Sequence, residues 1–307
     1  MTRAFIFPGQ GAQTIGMGRD LAEAYPAARA VFQDVDEALG EALSALIWDG
    51  DADTLTLTAN AQPALMATSL AVMAALEAEG VGVEQAAFVA GHSLGEYSAL
   101  AASGALGIAD AARLLRVRGA AMQKAVPVGV GAMAAVLGLS LDDVQAVAAE
   151  AAAGEVCQAA NDNDPAQVVV SGHKAAVERA CEIAKAKGAK RAILLPVSAP
   201  FHCTLMQPAA DAMAEALESV EISTPKVPLV ANVLAGVAAP DRIKALLVQQ
   251  VTGAVRWRES VAFMVDQGVT EFWEIGAGKA LSGMVRRIAR EAEVRAISSP
   301  EDVKAAL

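Results

Sequence analysis

Short apolar runs alternate along this chain with longer stretches whose apolar positions recur every three or four residues. "RAFIF", Arg3–Phe7, is halted by Pro8 and Gly9 and reads as a short buried strand. Helical periodicity follows to about residue 50 and returns from Gln62 to Glu79. "AAFVAG", 86–91, is a second short strand; helix follows it and recurs over Asp110–Ala125. Strands alternating with helices predict an α/β core around a parallel sheet.

The pattern changes near Val126. "VPVGVGAMAAVLGL" is strand-like, and "SLDDVQAVAAEAA" is a helix with Ser140 as N-cap. "EVCQAANDNDPAQVVVSG" reads as a hairpin turned by Asn, Asp and Pro165. "HKAAVERACEIAKAKG" is a helix closed by Gly188, and "AKRAILLPVS" is a strand. The order β-α-β-β-α-β over about 70 residues is the split ferredoxin-like unit. The α/β alternation resumes after Pro200, with a helix near Leu205–Glu218 and the strands "VPLVANV" and "EFWEIG". The expected organisation is an α/β, hydrolase-like large subdomain with a mainly parallel sheet, 1–126 and 197–307. A ferredoxin-like small subdomain, 127–196, is inserted into it.

Composition narrows the function. Of 307 residues, 54% are hydrophobic and only 4% aromatic, which suits many closely packed helices. A net charge of −11 argues against nucleic acid as a partner, because phosphate neutralisation needs clustered Lys and Arg. Cys157, Cys181 and Cys203 match neither a disulfide framework nor a zinc pattern, so reduced thiols and no metal are expected. The start, "MTRAFIFPGQG", lacks the apolar core of a signal peptide. The longest uncharged stretches, Thr54–Leu76 and Ala125–Leu141, contain Pro, Gly or several polar residues, so no membrane span is predicted. A soluble, cytoplasmic protein is expected.

"GHSLG", 91–95, fits Gly-x-Ser-x-Gly between an apolar strand and a helix. In that setting Ser93 is held out as a nucleophile; the bland reading is a tight structural turn. The Leu94 amide, at the helix start, would stabilise an oxyanion. A reactive serine needs a base, and the chain has three histidines. His92 adjoins the serine, where side chains diverge, and would orient the turn. His173 stands at a strand-to-helix junction and reads as structural. His202, in "PFHCTLM" behind an apolar strand, is left as the base; its bland reading is a satisfied buried histidine. No Asp stands in an obvious position to orient it, so a backbone or amide oxygen is the open alternative.

In the helix from Asp110, Ala111, Leu114, Leu115, Arg118, Ala121, Met122 and Ala125 share one face. An arginine in that apolar stripe needs an anion. Periodicity alone leans to a structural ion pair or a snorkelling side chain; beside a reactive serine, a substrate carboxylate is the sharper reading. "GQGAQT" at Gly9 and "GAGK" at Gly276 lack the full glycine sets of nucleotide-binding loops. Gln10, in the first, could lend a backbone amide to an oxyanion hole, or simply belong to a glycine turn.

"FPGQGAQ", "GHSLGEYSAL", "RLLRVRGAAMQKAVP", "GAMAAVLGL", "NDNDPAQVVVSG", "PFHCTLM" and "EFWEIGAGKALSGM" occur in this order over essentially the whole chain. The chain thereby resembles the malonyl-CoA:acyl carrier protein transacylases. The resemblance implies Ser93 as the acyl-accepting nucleophile, His202 as its base and Arg118 as partner of the malonyl carboxylate. It implies Gln10 and Leu94 as oxyanion donors, Gln250 as the residue whose carbonyl orients the histidine, and Asn161 as a cleft-lining residue. It also implies malonyl-CoA and acyl carrier protein as partners, no bound cofactor, and a monomer serving fatty acid synthesis. Acyl transfer for polyketide synthesis and a serine thioesterase or hydrolase are the alternatives. Phe201 resembles the malonyl-selective members, and Gly253-Ala254 stand where the family pattern has Asn-Pro. Because carrier proteins are acidic, a local basic rim is expected, with Arg113, Arg116, Lys124, Lys190 and Arg191 as candidates and a solvated surface as the alternative.

Overall fold

The computed structural model describes residues 2–197 and 199–307. Among the described residues, ten strands form two sheets. The first holds β1 (Arg3–Phe7), β2 (Phe88–Gly91), β7 (Leu229–Ala231), β8 (Gly236–Val237), β9 (Glu271–Ile275) and β10 (Glu293–Ile297), in the order β10-β9-β1-β2-β7-β8. Every pairing in it is parallel except β7 with β8. The second holds β3 (Gly131–Leu137), β4 (Cys157–Asp164), β5 (Gln167–His173) and β6 (Arg191–Leu194), in the antiparallel order β4-β5-β3-β6. Helices Leu141–Ala152 and Lys174–Ala186 complete the β-α-β-β-α-β unit. The fold is thus α/β, with a mainly parallel sheet and a separate ferredoxin-like antiparallel one.

Side-chain alternation on β1 explains why the large sheet is covered on both faces. Phe5 and Phe7 enter one apolar cluster; Ala4 and Ile6 enter another, with Trp257 and Phe272. The small sheet has its own core, in which Val136, Val168 and Val170 pack on Val144, Val147 and Val177 of its two helices.

The helix over the first face begins earlier than periodicity suggests, at Thr58, and runs to Ala78. By length and composition it could cross a membrane, but 83% of its most apolar window is buried in the fold. Pro63 lies inside it. Proline has no N–H, so the carbonyl four residues earlier loses its helical donor. Arg116 Nη1 supplies the substitute, donating to Ala59 O at 2.8 Å. Arg116 also bonds Asn60 and pairs with Glu41. This residue, expected on a carrier-facing rim, is instead half-buried and spent on the scaffold. Arg113 is likewise engaged, with Ala38 O and Asp110, whereas Lys124, Lys190 and Arg191 are exposed.

The two sheets meet along "NDND". Asn161 forms a parallel bridge with Val255. The Asp162 carboxylate pairs with Arg258 at 2.9 Å, and Asp164 with Arg287 at 2.7 Å. Asn163 Oδ1 lies 2.9 Å from His92 Nε2. Four consecutive residues of the small sheet therefore fasten it to the large subdomain.

Candidate active site

Ser93 occupies the turn between β2 and the helix Gly95–Ala102. Its φ is 53°, in the left-handed region that penalises a side chain. The flanking glycines make the turn possible. A Cβ on Gly91 would lie 1.9 Å from the Gly95 carbonyl carbon, and one on Gly95 would lie 2.3 Å from Phe7 O. Backbone therefore crosses backbone with no room for side chains, and the serine is thrown off the end of the sheet. His92 N donates to Phe7 O at 3.0 Å. Asn232, just past β7, accepts from Ser93 N at 2.7 Å and donates through Nδ2 to Gly91 O at 2.6 Å.

His202 also has a left-handed backbone, with φ of 58°, and is 4% exposed. Its Nε2 lies 2.7 Å from Ser93 Oγ. Its Nδ1 lies 2.9 Å from Gln250 O and 3.2 Å from Gly253 O. Both carbonyls can only accept, so Nδ1 carries the hydrogen and Nε2 presents its lone pair to the serine hydroxyl. Burial, then the positive charge of Arg118, pushes the imidazole pKa down to about 3. The ring is neutral at physiological pH.

The helix Ile108–Lys124 carries Arg118 inward, with 1% of its surface exposed. Gly119 lets that helix approach: a Cβ there would lie 2.5 Å from Thr58 O. Arg118 Nη1 donates to Gln62 Oε1 at 2.7 Å; Nη2 donates to Gln250 Oε1 at 2.7 Å and to Ser93 Oγ at 3.2 Å. Its Nε is buried without a partner among the described residues. The ion pair that periodicity favoured is not what holds it; amide and hydroxyl oxygens do. The guanidinium thus stands beside the Ser93 hydroxyl with its charge unmatched by direct contact, a geometry that suits an incoming carboxylate.

Gln250 is used twice. Its main-chain oxygen faces His202, while its side chain accepts from Arg118 and donates to Ser93 O at 3.0 Å and Glu96 Oε2 at 2.8 Å. Glu96, 1% exposed, also accepts from Asn232 N at 3.0 Å. Burial raises its pKa to about 7 against the lowering effect of these bonds and of Arg118.

Ser93, His202, Arg118 and Gln250, far apart in sequence, meet in one hydrogen-bonded cluster. Leu94 opens the helix beyond the elbow. Gln10 follows the turn at Pro8 and Gly9, where a Cβ on Gly9 would lie 2.7 Å from His92 O; its side chain donates to Thr58 Oγ1 at 3.2 Å. Asn161 is buried at the joint between the sheets, and it is Asn163 that reaches the elbow through His92. His173 caps a helix and accepts from Val156 N at 2.9 Å, a structural role. Sequence reasoning missed Asn232, Glu96 and Gln62. Their only signals are an Asn closing an apolar strand, an acid just past the second elbow glycine, and a Gln before a helical proline.

The family model described as acyl transferase domain matches residues 4–300. The malonyl CoA-acyl carrier protein transacylase of Bacillus subtilis (strain 168) is 48% identical, covering 99% of this chain and 96% of its own. The crystal structure of acyl-carrier-protein-S-malonyltransferase from Bartonella henselae superposes with a TM-score of 0.97 at 55% identity, covering 100% of this chain and 98% of that one. A malonyl-transacylase solved in complex with its holo type II PKS acyl-carrier protein gives 0.97 at 41% identity, covering 100% and 99%. Fold, elbow and whole-length similarity agree: this chain belongs to the acyl transferase family, among the malonyl CoA-acyl carrier protein transacylases.

Proposed function

We propose that this protein moves the malonyl group of malonyl-CoA to the phosphopantetheine thiol of an acyl carrier protein through a malonyl ester on Ser93. The observation that carries the reading is one oxygen with two neighbours: Ser93 Oγ lies 2.7 Å from His202 Nε2 and 3.2 Å from Arg118 Nη2. The malonyl carboxylate displaces Arg118 from the hydroxyl. Ser93 then attacks the thioester carbonyl and gives its proton to His202 Nε2. The amides of Leu94 and Gln10 receive the oxyanion; one such donor is worth about 3–4 kcal/mol. The carbonyls of Gln250 and Gly253 hold the imidazolium that forms.

The field of Arg118 depresses the basicity of His202 in the free site. A carboxylate docked on Arg118 cancels part of that field, so the base strengthens when the correct substrate arrives. The imidazolium next protonates the departing CoA sulfur. The carrier thiol repeats the cycle in reverse, and serine exchange alone completes the reaction without a bound cofactor. An acetyl group brings no carboxylate to Arg118 and forgoes that charge-assisted contact in a buried site. We assign the organisation above to two subdomains, 1–126 with 197–307 and 127–196. The working form is a cytoplasmic monomer, with Lys124, Lys190 and Arg191 facing the acidic carrier and Asn161 near the cleft between the sheets.

Intact-protein mass spectrometry after brief mixing with malonyl-CoA tests this. The native chain should gain one malonyl group, lose it to carrier protein and not to water, and Ser93→Ala should gain none. No adduct on the native chain overturns the nucleophile; loss to water at the same rate without carrier makes the protein a hydrolase.

A further inference from the structure

Glu96 has no step in this chemistry, yet it lies inside the cluster that performs it. One carboxamide separates it from Arg118: Gln250 Nε2 is 2.8 Å from Glu96 Oε2, and Gln250 Oε1 is 2.7 Å from Arg118 Nη2. With both Nε2 hydrogens given to Ser93 O and Glu96, the carboxamide has a single orientation, oxygen towards the arginine. Both charged residues are 1% exposed. In the free site the positive guanidinium and the negative Glu96 balance. A malonyl carboxylate brings a second negative charge into the same buried space, where unpaired charge is costly.

We propose that Glu96 is the charge-compensating positioning residue of this site, taking up one proton from solvent as the malonyl carboxylate docks on Arg118. Glu96 carboxylate plus a solvent proton gives the neutral acid, so the site holds no net charge before or after docking. This rests on Arg118 being the carboxylate seat.

The groups facing Glu96 leave it as the one that titrates near neutrality. Arg118, on the packed helix, stays charged; Tyr97, its neighbour, is pushed up to about 12 by burial. His202 is held at about 3, and burial lowers His92. Asn232 and Gln250 do not ionise. Glu96, near 7, is poised where a nearby negative charge moves it across physiological pH.

Calorimetry of malonyl-CoA binding to Ser93→Ala, repeated in buffers of different ionisation enthalpy from pH 6 to 9, counts the protons. Acetyl-CoA binding, subtracted, removes the proton linkage of the CoA phosphates. Proton uptake per malonyl group should rise through pH 7 towards one, and malonyl affinity should weaken by up to about tenfold per pH unit above it. Adding Glu96→Gln should abolish the uptake and flatten the affinity. No uptake in Ser93→Ala, or uptake that survives Glu96→Gln, overturns the proposal, and the first result does not depend on the second variant folding. Adding Arg118→Ala to Ser93→Ala separates the two readings. If malonyl-CoA then binds as well as before, the carboxylate seat is wrong; if its advantage over acetyl-CoA disappears while uptake was absent, only Glu96 fails.

Discussion

The carboxyl ends of the large sheet and the outer strand of the small sheet both bury polar residues, and they use them differently. At the elbow, Arg118, Glu96, Gln250 and His202 are linked into one cluster through amides, carbonyls and a hydroxyl, with no direct contact between opposite charges. On β4, Asp162 and Asp164 are buried too, but each meets an arginine directly. Where opposite charges touch, the contact can be satisfied and static, and the result is a joint. Where they are held one group apart, each retains capacity for another partner, and the result is a place for chemistry. Backbone strain divides the same way: Ser93 and His202 have left-handed φ, whereas β4 carries only register irregularities.

Breaking the elbow should have the largest effect. Ser93→Ala should cut transfer on the order of a millionfold while the protein stays folded, read by steady-state kinetics and a melting curve. Gly91→Ala should act on the fold instead, because its Cβ has nowhere to go. A loss of about 4 kcal/mol or more in chemical denaturation is expected, and a near-normal midpoint would contradict the backbone crossing. Arg118→Ala should lower kcat/KM for malonyl-CoA at least about a hundredfold with little change for acetyl-CoA, so the ratio of the two is the measurement.

Smaller effects sharpen the comparison. The folded-state pKa of Glu96 is raised to about 7, above its unfolded value, so its ionisation opposes folding. The stability it supports is fully present below the usual glutamate range and is lost as pH rises through about 7. The melting temperature of Glu96→Gln should therefore gain on the native protein from pH 5 to 8, by the equivalent of roughly 2 kcal/mol. Asp164→Asn should do least: its arginine is half exposed, so about 1 kcal/mol of stability and no change in kcat are expected. A tenfold fall in kcat there would erase the distinction between joint and site.

Much of this was legible in sequence, and the limit was physical. Alternating apolar runs marked both sheets, because burial on two faces leaves a pattern along the chain. Ser93 was readable because a strained turn demands glycine on both sides, His202 because few histidines compete, and Arg118 because a helix face fixes its direction. Asn232 and Glu96 were not readable. Asn232 meets Ser93 across 139 residues, and Glu96, though next to the elbow in the chain, is engaged by the Asn232 backbone amide across 136; neither contact leaves a local periodicity. Arg116 was misjudged because its partner, a carbonyl orphaned by Pro63, exists only once the helix has formed.

The histidine's acceptors are both main-chain carbonyls, and every amino acid supplies one. That contact is indifferent to the side chains that carry it: Gly253 makes one of the two with no side chain at all. Alignments read identity, not backbone, so the component that sets the tautomer of His202 can go unseen in them. An alanine scan would miss it for the same reason: Gln250→Ala removes the carboxamide that steers Arg118 and leaves the oxygen that steers His202 in place.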